Sequence, residues 1–517
     1  MAVDAVVIGG GHNGLVAATL LARAGWSVEV LEQADVAGGA VGSLTTSRGY
    51  LHDWGAAFFG VLHDSPVFGD LGLADRVQWA TTELPVAMLH GSAEPALLWA
   101  DPGRTADGLG VDGPAWLALH AWWERTGARL FRAGLGPIPS VPLLRAATAL
   151  GVRGGLQQLQ ALLEPVEAWS AASFEQAAAR MLVTGHATHG DVAIDAAGSM
   201  PPALLLAMVA QSRGMPVPVG GAGMLAAAFV QAAEQAGVVV RTGVRVTQVV
   251  VRGGRAVGVR CADGTGIGVR RAVVADVAPE LLARDLVGEQ HLPAPWLAQL
   301  RRHRYASGFC RLDVDLSAPA PWAADSLAEA LVVHVTGDVH EVATAQAQVS
   351  RGLLPGDPAL IVGQQDRADP ARVPLGAATL WVECRCPAVP RGDAADELAA
   401  DWAPGFADRM LDRLEVHAPG LHDLVVETTV TTPLGLQRRD PNLIGGDVAG
   451  GSAAPDQLLV FRPVAGWSPY AVPLGGLYLC GAATHPGGGV HGMPGRNAAA
   501  KVLRDARWRP GWMTASS

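Results

Sequence analysis

The chain has 517 residues, of which 50% are hydrophobic and 17% charged, and its formal net charge is −10. This acidic balance excludes a nucleic-acid partner, because phosphate binding needs concentrated basic side chains. The five cysteines lack disulfide-framework spacing and the first strand follows Met1 without a basic leader, so we expect a cytoplasmic location, with peripheral membrane contact as an alternative.

The first forty residues have the pattern of a dinucleotide-binding βαβ unit. Ala5–Ile8 predicts a buried parallel strand, and 15–24 predicts a helix. The glycines between them hold the GxGxxG positions, which permit a tight turn and a close approach of backbone amides to a diphosphate. Glu32, the acid after the next strand, is placed to accept hydrogen bonds from ribose hydroxyls. The expected cofactor contacts are Gly9, Gly11, His12, Asn13, Gly14 and Glu32.

A second glycine pair follows Glu32, within the segment 33–40. Here the chain resembles the large FAD-dependent oxidoreductase group that includes amine oxidases and phytoene desaturases, in which such a pair follows the first βαβ unit. The resemblance implies FAD rather than a nicotinamide cofactor. It adds Gln33, Gly38, Gly39 and Ala40 to the expected cofactor contacts.

The next part of the chain predicts a mainly helical segment from residue 71 to about 214. We interpret it as a helical cap. Its most apolar run, Ala203–Ala210, is too short to span a bilayer and predicts a buried helix, with a substrate-tunnel wall or a membrane-touching surface as alternatives. Before the cap, Asp53 precedes Trp54 and Gly55; it is interpreted as a loop carboxylate, or alternatively as a structural element of the active-site floor.

Residues 215–290 return to the cofactor domain. Gly220 and Gly221 open a predicted helix, but Pro216 and Pro218 occupy the place of the preceding strand, which argues against a second dinucleotide site. The strand that follows resembles the family segment beside the adenine, so Val246 is an expected contact. From about 290 to 470 the chain alternates strands with helices. The predicted strands are Phe309–Leu316, Ala330–Val335, Leu360–Val362, Ala378–Cys384 and Leu424–Val430; the helices are Val339–Val349 and Ala394–His417.

The segment Gly476–Asn497 is the strongest family marker. A strand ends at Cys480, a glycine-rich turn follows, and a helix is predicted to begin near Val490. The segment resembles the phytoene desaturase-like family, in particular its branch of pyridine-nucleotide-disulfide-oxidoreductase-like proteins. The resemblance implies that this helix end stabilises the charge of reduced flavin. The expected contacts are Gly481, Ala482, Gly488, Gly489, Val490 and Met493.

Two departures limit the resemblance. Ala482 stands where many relatives have an acid that holds a ribityl hydroxyl, so backbone amides must replace it. Lys501 is the chain's single lysine and lies beyond the glycine turn, so the lysine that amine oxidases of this group use near flavin is missing. His485 and His491 flank the turn and are candidate catalytic acid/base groups; hydrogen bonding to the loop backbone is the alternative.

The sequence therefore predicts an α/β protein with a Rossmann-type, glutathione-reductase-like FAD-binding domain, a discontinuous mixed-sheet substrate domain and a helical cap. The FAD-binding domain takes residues 1–70, 215–290 and 470–510, the cap 71–214 and the substrate domain 291–469. Cys384 and Cys386 lack a second cysteine pair, so no metal site is predicted.

The predicted function is that of an FAD-dependent dehydrogenase or desaturase, which removes two hydrogens from an apolar small molecule by hydride transfer to flavin N5. Without a nicotinamide domain, oxygen or a quinone is expected as electron acceptor. One alternative is an FAD oxidase of an alcohol, amine or heterocycle that uses oxygen. Another is a non-catalytic lipid- or partner-binding protein of the same fold. A homo-oligomer is compatible with either enzyme.

Overall fold

The structure is a computed structural model that describes residues 2–91, 94–138, 156–157, 160–391, 402–467 and 470–507. Parts of the predicted cap and the predicted helix Ala394–His417 lie outside these ranges. The strands are β1 Ala2–Ile8, β2 Val28–Leu31, β3 Ser43–Thr45, β4 Leu51–Asp53, β5 Trp79–Ala80, β6 Val86–Leu89, β7 Ala96–Leu98, β8 Val217–Pro218, β9 Val239–Arg241, β10 Val246–Arg252, β11 Arg255–Cys261, β12 Gly266–Ala275, β13 Gly308–Leu316, β14 Val332–Val335, β15 Leu360–Gly363, β16 Ala378–Cys386, β17 Val425–Thr431 and β18 Leu477–Leu479.

The helices, numbered in chain order, connect these strands. They are α1 His12–Arg23, α2 Gly60–His63, α3 Pro66–Asp70, α4 Leu73–Arg76, α5 Pro102–Gly108, α6 Gly113–Trp122, α7 Ala128–Gly134, α8 Val166–Ser173, α9 Ala177–Thr184, α10 Met200–Arg213, α11 Ala222–Gln235, α12 Pro279–Leu281, α13 Ala294–Leu300, α14 Asp325–Glu329, α15 Val339–Ser350, α16 Ala403–Glu415, α17 Leu421–Leu424, α18 Pro433–Arg439 and α19 Met493–Arg507. Short 3₁₀ or π turns occupy Gly110–Asp112, Trp123–Gly127, Gly185–His189, Leu282–Val287, Glu289–His291, Gln365–Arg367, Pro370–Arg372, Ile444–Gly446, Pro455–Gln457 and Leu459–Phe461.

The first sheet joins the two ends of the chain. Its order is β10-β11-β12-β1-β2-β9, and β18 also pairs with β12. The β12 strand runs parallel to both β1 and β18, and β2 runs parallel to β1. The carboxyl ends of these four strands therefore lie at one edge, which is where ligands bind in open parallel sheets. Apolar residues of α1, α11 and α19 pack on one face of this sheet.

The second sheet has the order β17-β13-β16-β15-β14-β6-β7. Most of its strands come from residues 308–431, close to the predicted bounds. The strands β6 and β7, however, lie in the stretch for which helices were predicted, and β6 pairs in parallel with β14. The runs Val86–Leu89 and Ala96–Leu98 are short and hydrophobic, a pattern that does not distinguish a strand from a buried helix. They form strands because β6 pairs with a strand that is distant in sequence.

The helix α10, which contains the apolar run 203–210, is buried rather than exposed. Ala203, Ala207, Met208 and Ala210 are fully buried in a core cluster that also contains residues of α9 and of the second sheet. The interpretation of 203–210 as a buried helix is therefore confirmed. Within the described ranges, no helix has both the length and the apolar character needed to cross a bilayer.

Candidate active site

The GxGxxG loop lies between β1 and α1, at the carboxyl edge of the first sheet. Gly9 has a φ of +94°, which favours glycine, and a Cβ on Gly14 would overlap the carbonyl oxygen of Gly9. The loop thus needs glycine for both reasons given by the sequence: a tight turn and close packing of helix on strand. The first turn of α1 begins at His12, so its N–H groups face this edge.

The segment after β2 packs directly on the first loop. The N–H of Gly38 donates to the carbonyl of Gly10 at 2.8 Å, and a Cβ on Gly39 would lie 3.1 Å from Cα of Gly11. Glu32 is buried, and its two carboxylate oxygens accept the N–H groups of Gly10 at 2.6 Å and Ala34 at 2.8 Å. Glu32 therefore ties the two loops together, and each of its oxygens retains a lone pair for a further hydrogen bond.

Asp276 was not predicted, although it follows β12 immediately, at the same sheet edge. Its Oδ2 accepts the N–H of Gly14 at 2.8 Å. A Cβ on Gly11 would lie 2.6 Å from this Oδ2, and one on Gly481 would lie 3.0 Å from Oδ1. Burial and, to a smaller extent, the nearby acids Asp440 and Glu32 raise the pKa of Asp276 to about 7, against the opposing effect of the hydrogen bond from Gly14. A carboxylate directly after a buried parallel strand was the signal available in the sequence.

The C-terminal glycine turn meets the first loop in space. A Cβ on Gly495 would overlap the carbonyl oxygen of Asn13, and a Cβ on Gly492 would lie 3.0 Å from Val16. The imidazole of His12 bonds to the backbone of Gly489. The two ends of the polypeptide, predicted to act together, are therefore in direct contact, and α19 packs against α1.

Several residues along this contact are partly accessible, and together they define the candidate cofactor groove: Gly9, Gly11, Gly39, Ala40, Asp276, Ala482, Gly488 and Val490. A Cβ at several of these positions would reach neighbouring atoms, so the cradle fits a ligand that approaches the backbone closely. Of the other predicted contacts, Val246 is buried at the start of β10, Gln33 is exposed, and Met493 is buried at the start of α19.

The two predicted catalytic histidines are buried and neutral. Nε2 of His485 is 2.9 Å from the carbonyl oxygen of Gly136, and burial lowers the pKa of His485 to about 4. Nδ1 of His491 accepts the N–H of Met493 at 3.2 Å, and burial lowers the pKa of His491 to about 3. Both histidines form hydrogen bonds with backbone atoms, as the alternative interpretation proposed. The helix α19 begins at Met493 rather than near Val490.

Asp53 connects β3 and the start of α11 to the second sheet. Oδ1 accepts the hydroxyl of Ser43 and the N–H of Ala222, each at 2.7 Å. Oδ2 pairs with Nη1 of Arg372 at 2.8 Å, and both side chains are about 1% exposed or less. The backbone oxygen of Asp53 accepts Nε1 of Trp381 at 3.2 Å. Asp53 is thus a buried structural residue rather than an ordinary loop carboxylate, and its place in an active-site floor stays a prediction.

One face of the second sheet carries a row of ionisable side chains. Arg311 pairs with Asp313 at 2.8 Å. In the register of β13 and β16, Arg311 lies opposite Glu383, and Phe309 opposite Arg385. Burial raises the pKa of Glu383 to about 8, although Arg311 and Arg385 oppose the shift. The carboxyl of Glu383 forms no hydrogen bond to a described residue.

A cavity of about 680 Å³ borders the same strand. It lies between the Gly185–His189 turn, α15 and the end of β16, and its walls combine Val349 and Pro355 with Arg385 and Tyr305. All five cysteines are buried and free, and the described residues contain no cluster of three groups that could hold a metal ion. The cavity is of the size that small organic ligands occupy.

Comparisons with known proteins agree with this geometry. Over 554 residues the chain is 26% identical to pyridine nucleotide-disulfide oxidoreductase domain-containing protein 2 of Rattus norvegicus, covering 98% of this chain and 94% of the relative. It is 29% identical to hydroxyneurosporene desaturase of Cereibacter sphaeroides, with 97% of each chain covered. An oxidoreductase structure from Methanosarcina mazei superposes with a TM-score of 0.61 at 15% identity, covering 97% of this chain and 99% of that one.

The predicted fold class, cofactor and family resemblance are confirmed by these comparisons. The family model described as "Flavin containing amine oxidoreductase" matches residues 14–312, more than half of the chain. The chain belongs to the flavin containing amine oxidoreductase family and is an FAD-dependent oxidoreductase.

Proposed function

We propose that FAD lies along the groove between the GxGxxG loop and the C-terminal glycine turn. The diphosphate faces the first turn of α1, the ribose faces Glu32, and the flavin end faces the turn before α19. The contact of the two chain ends supports this placement, since it brings the two glycine segments next to each other. The proposed contacts are Gly9, Gly11, His12, Asn13, Gly14, Glu32, Gln33, Gly38, Gly39, Ala40, Val246, Gly481, Ala482, Gly488, Gly489, Val490 and Met493.

The proposed reaction is the dehydrogenation of an apolar small molecule. When bound, FAD supplies an acceptor for a hydride and its two electrons. The observation that carries the proposal is the 29% identity to a desaturase over 97% of both chains. The single lysine supports it further: Lys501 pairs with Asp505 at 2.6 Å on α19, away from the groove, so an amine-oxidase lysine is not available.

Dehydrogenation also releases a proton, and the second sheet offers an acceptor for it. Glu383 lies on the face of β16 that it shares with Trp381, which is bonded to Asp53 below the site. Its raised pKa makes its ionised form a stronger base than an ordinary carboxylate. Glu383 therefore replaces the buried histidines as the candidate proton acceptor. The 680 Å³ cavity at the end of β16 provides space for the substrate.

The test uses the purified, FAD-loaded protein under anaerobic conditions. Neurosporene in detergent micelles is expected to bleach the flavin absorbance and to yield a product two hydrogens lighter by mass spectrometry. Bleaching by benzylamine or a primary alcohol, with no response to neurosporene, would replace this proposal with the oxidase alternative. Protein that binds FAD but responds to none of them would favour the non-catalytic binding protein. Reoxidation with air or with a soluble quinone then identifies the electron acceptor.

A further inference from the structure

Asp276 occupies the point where the two glycine segments converge. The backbone N–H of Asp276 donates to the carbonyl of Ile8 at 2.8 Å, which fixes the residue beside β1. Its side chain then reaches across Gly11 and Gly14 on one side and Gly481 on the other. No other described side chain is reached by the added Cβ atoms of all three of these glycines.

The carboxyl of Asp276 already uses one oxygen at the helix. Oδ2 accepts the N–H of Gly14, in the first turn of α1, at 2.8 Å. A diphosphate at this helix end would bring its oxygens to the same N–H groups. The second oxygen, Oδ1, points toward the C-terminal turn, within 3.0 Å of a Cβ placed on Gly481. Asp276 is partly accessible, so a ligand in the groove can reach it.

The surroundings of Asp276 contain no compensating positive charge among the described residues. The titratable groups that face it are Glu32 from the end of β2, Asp440 after α18 and the thiol of Cys480 from the end of β18. On α1, burial lowers the pKa of His12 to about 4, so this imidazole is neutral. An ionised Asp276 would therefore add a negative charge beside two other carboxyl groups before the diphosphate brings its own charge.

We propose that Asp276 contacts the diphosphate of bound FAD as a neutral carboxylic acid, so that FAD binding takes up one proton. The proton comes from solvent and resides on Oδ1, which then donates a hydrogen bond to a phosphate oxygen. Oδ2 continues to accept the N–H of Gly14. One side chain thus supplies a donor to the ligand and an acceptor to the helix, a combination that an ionised carboxylate cannot offer. The proposal rests on the placement of the diphosphate at α1.

This protonation makes FAD affinity pH-dependent. Burial and the neighbouring acids raise the pKa of Asp276 to about 7 in the free protein, and the diphosphate raises it further in the complex. Affinity is therefore constant below about pH 6 and falls as pH rises above 7, by up to tenfold per unit. Between pH 6 and pH 8.5 the dissociation constant of FAD is expected to increase about 30-fold.

The test titrates deflavinated full-length protein with FAD and follows the quenching of flavin fluorescence from pH 6 to pH 8.5. Calorimetry at pH 7.5 in phosphate and in Tris, whose ionisation enthalpies differ, counts the protons taken up. We expect about 0.8 proton per FAD at this pH. Because this measurement uses the unmodified chain, it does not depend on whether a variant folds. FAD binding without proton uptake would overturn the proposal but leave the cofactor site intact.

Two variants assign the proton to its residue. Asp276→Asn keeps both hydrogen-bonding functions without a charge, so its affinity should be independent of pH and equal to that of the wild type at pH 6. Asp440→Asn removes a neighbouring charge, so its pH dependence should persist and begin at a lower pH. A pH dependence that persists in Asp276→Asn would refute the proposal, as would loss of FAD binding by a folded Asp276→Asn protein.

Discussion

The buried ion pair between Asp53 and Arg372 is expected to make a large contribution to stability. Both side chains are about 1% exposed or less, and Nη1 of Arg372 lies 2.8 Å from Oδ2 of Asp53. Asp53→Asn preserves the size of the side chain but leaves the guanidinium, among the described residues, with only Asp369 at 3.3 Å as a charged partner. Removing one partner of a buried pair typically costs about 3–5 kcal/mol, because an uncompensated charge stays buried.

The assay is urea denaturation followed by tryptophan fluorescence. An exposed pair provides the control: Arg284 and Asp285 are 2.6 Å apart, but their side chains are 66% and 47% exposed. Asp285→Asn should therefore change the free energy of unfolding by less than about 1 kcal/mol. The reasoning predicts that Asp53→Asn costs several times more than this control.

A double-mutant cycle separates the pair from its surroundings. Arg372→Met alone leaves the Asp53 carboxylate buried without its cation, whereas Asp53→Asn with Arg372→Met leaves neither of the two charges. The double variant should therefore lose at least about 1 kcal/mol less than the sum of the single variants. Additive losses, or a loss for Asp53→Asn no larger than that of the exposed control, would refute the role assigned to Asp53.

The other predictions concern the cofactor site and the proton. Gly11→Val should abolish FAD retention, since its Cβ would lie 2.6 Å from Oδ2 of Asp276 and its methyl groups would fill the groove; Gly405→Val, where no atom lies within 4 Å of an added Cβ, should bind FAD normally. Glu383→Gln should slow flavin reduction by the substrate about 100-fold or more. In the wild type that rate should rise with pH through about 8, as Glu383 ionises, and a flat profile would exclude Glu383 as proton acceptor. Gly495→Ala should lower the thermal unfolding temperature, because its Cβ would overlap backbone of α1; an unchanged temperature would contradict this packing.

The parts of the fold that the sequence predicts well are those with local signals. The β1 strand, its glycine loop and α1 follow from hydrophobic pattern and glycine spacing within about twenty residues. The C-terminal strand and turn are equally local. The sequence also predicts that Glu32 lies near these glycines, because it follows them closely along the chain. In the structure its carboxylate accepts the N–H of Gly10.

What the sequence could not predict depends on distant partners. The strands β6 and β7 join the second sheet only because β14, far along the chain, offers an edge. Asp276 and Asp53 are single acids without a motif, and their importance arises from contacts with Gly14 and Arg372 hundreds of positions away. Likewise, the sequence suggests that His491 is a catalytic imidazole, but in the structure its Nδ1 accepts the N–H of Met493, the first residue of α19.

The account depends most on a single FAD being held by both ends of the chain. Hydrogen–deuterium exchange of the deflavinated and FAD-loaded protein, resolved by peptide, tests this directly. FAD should slow amide exchange in both Gly9–Gly14 and 481–493, and do so with one FAD per chain. Protection confined to one of these segments would contradict the central claim.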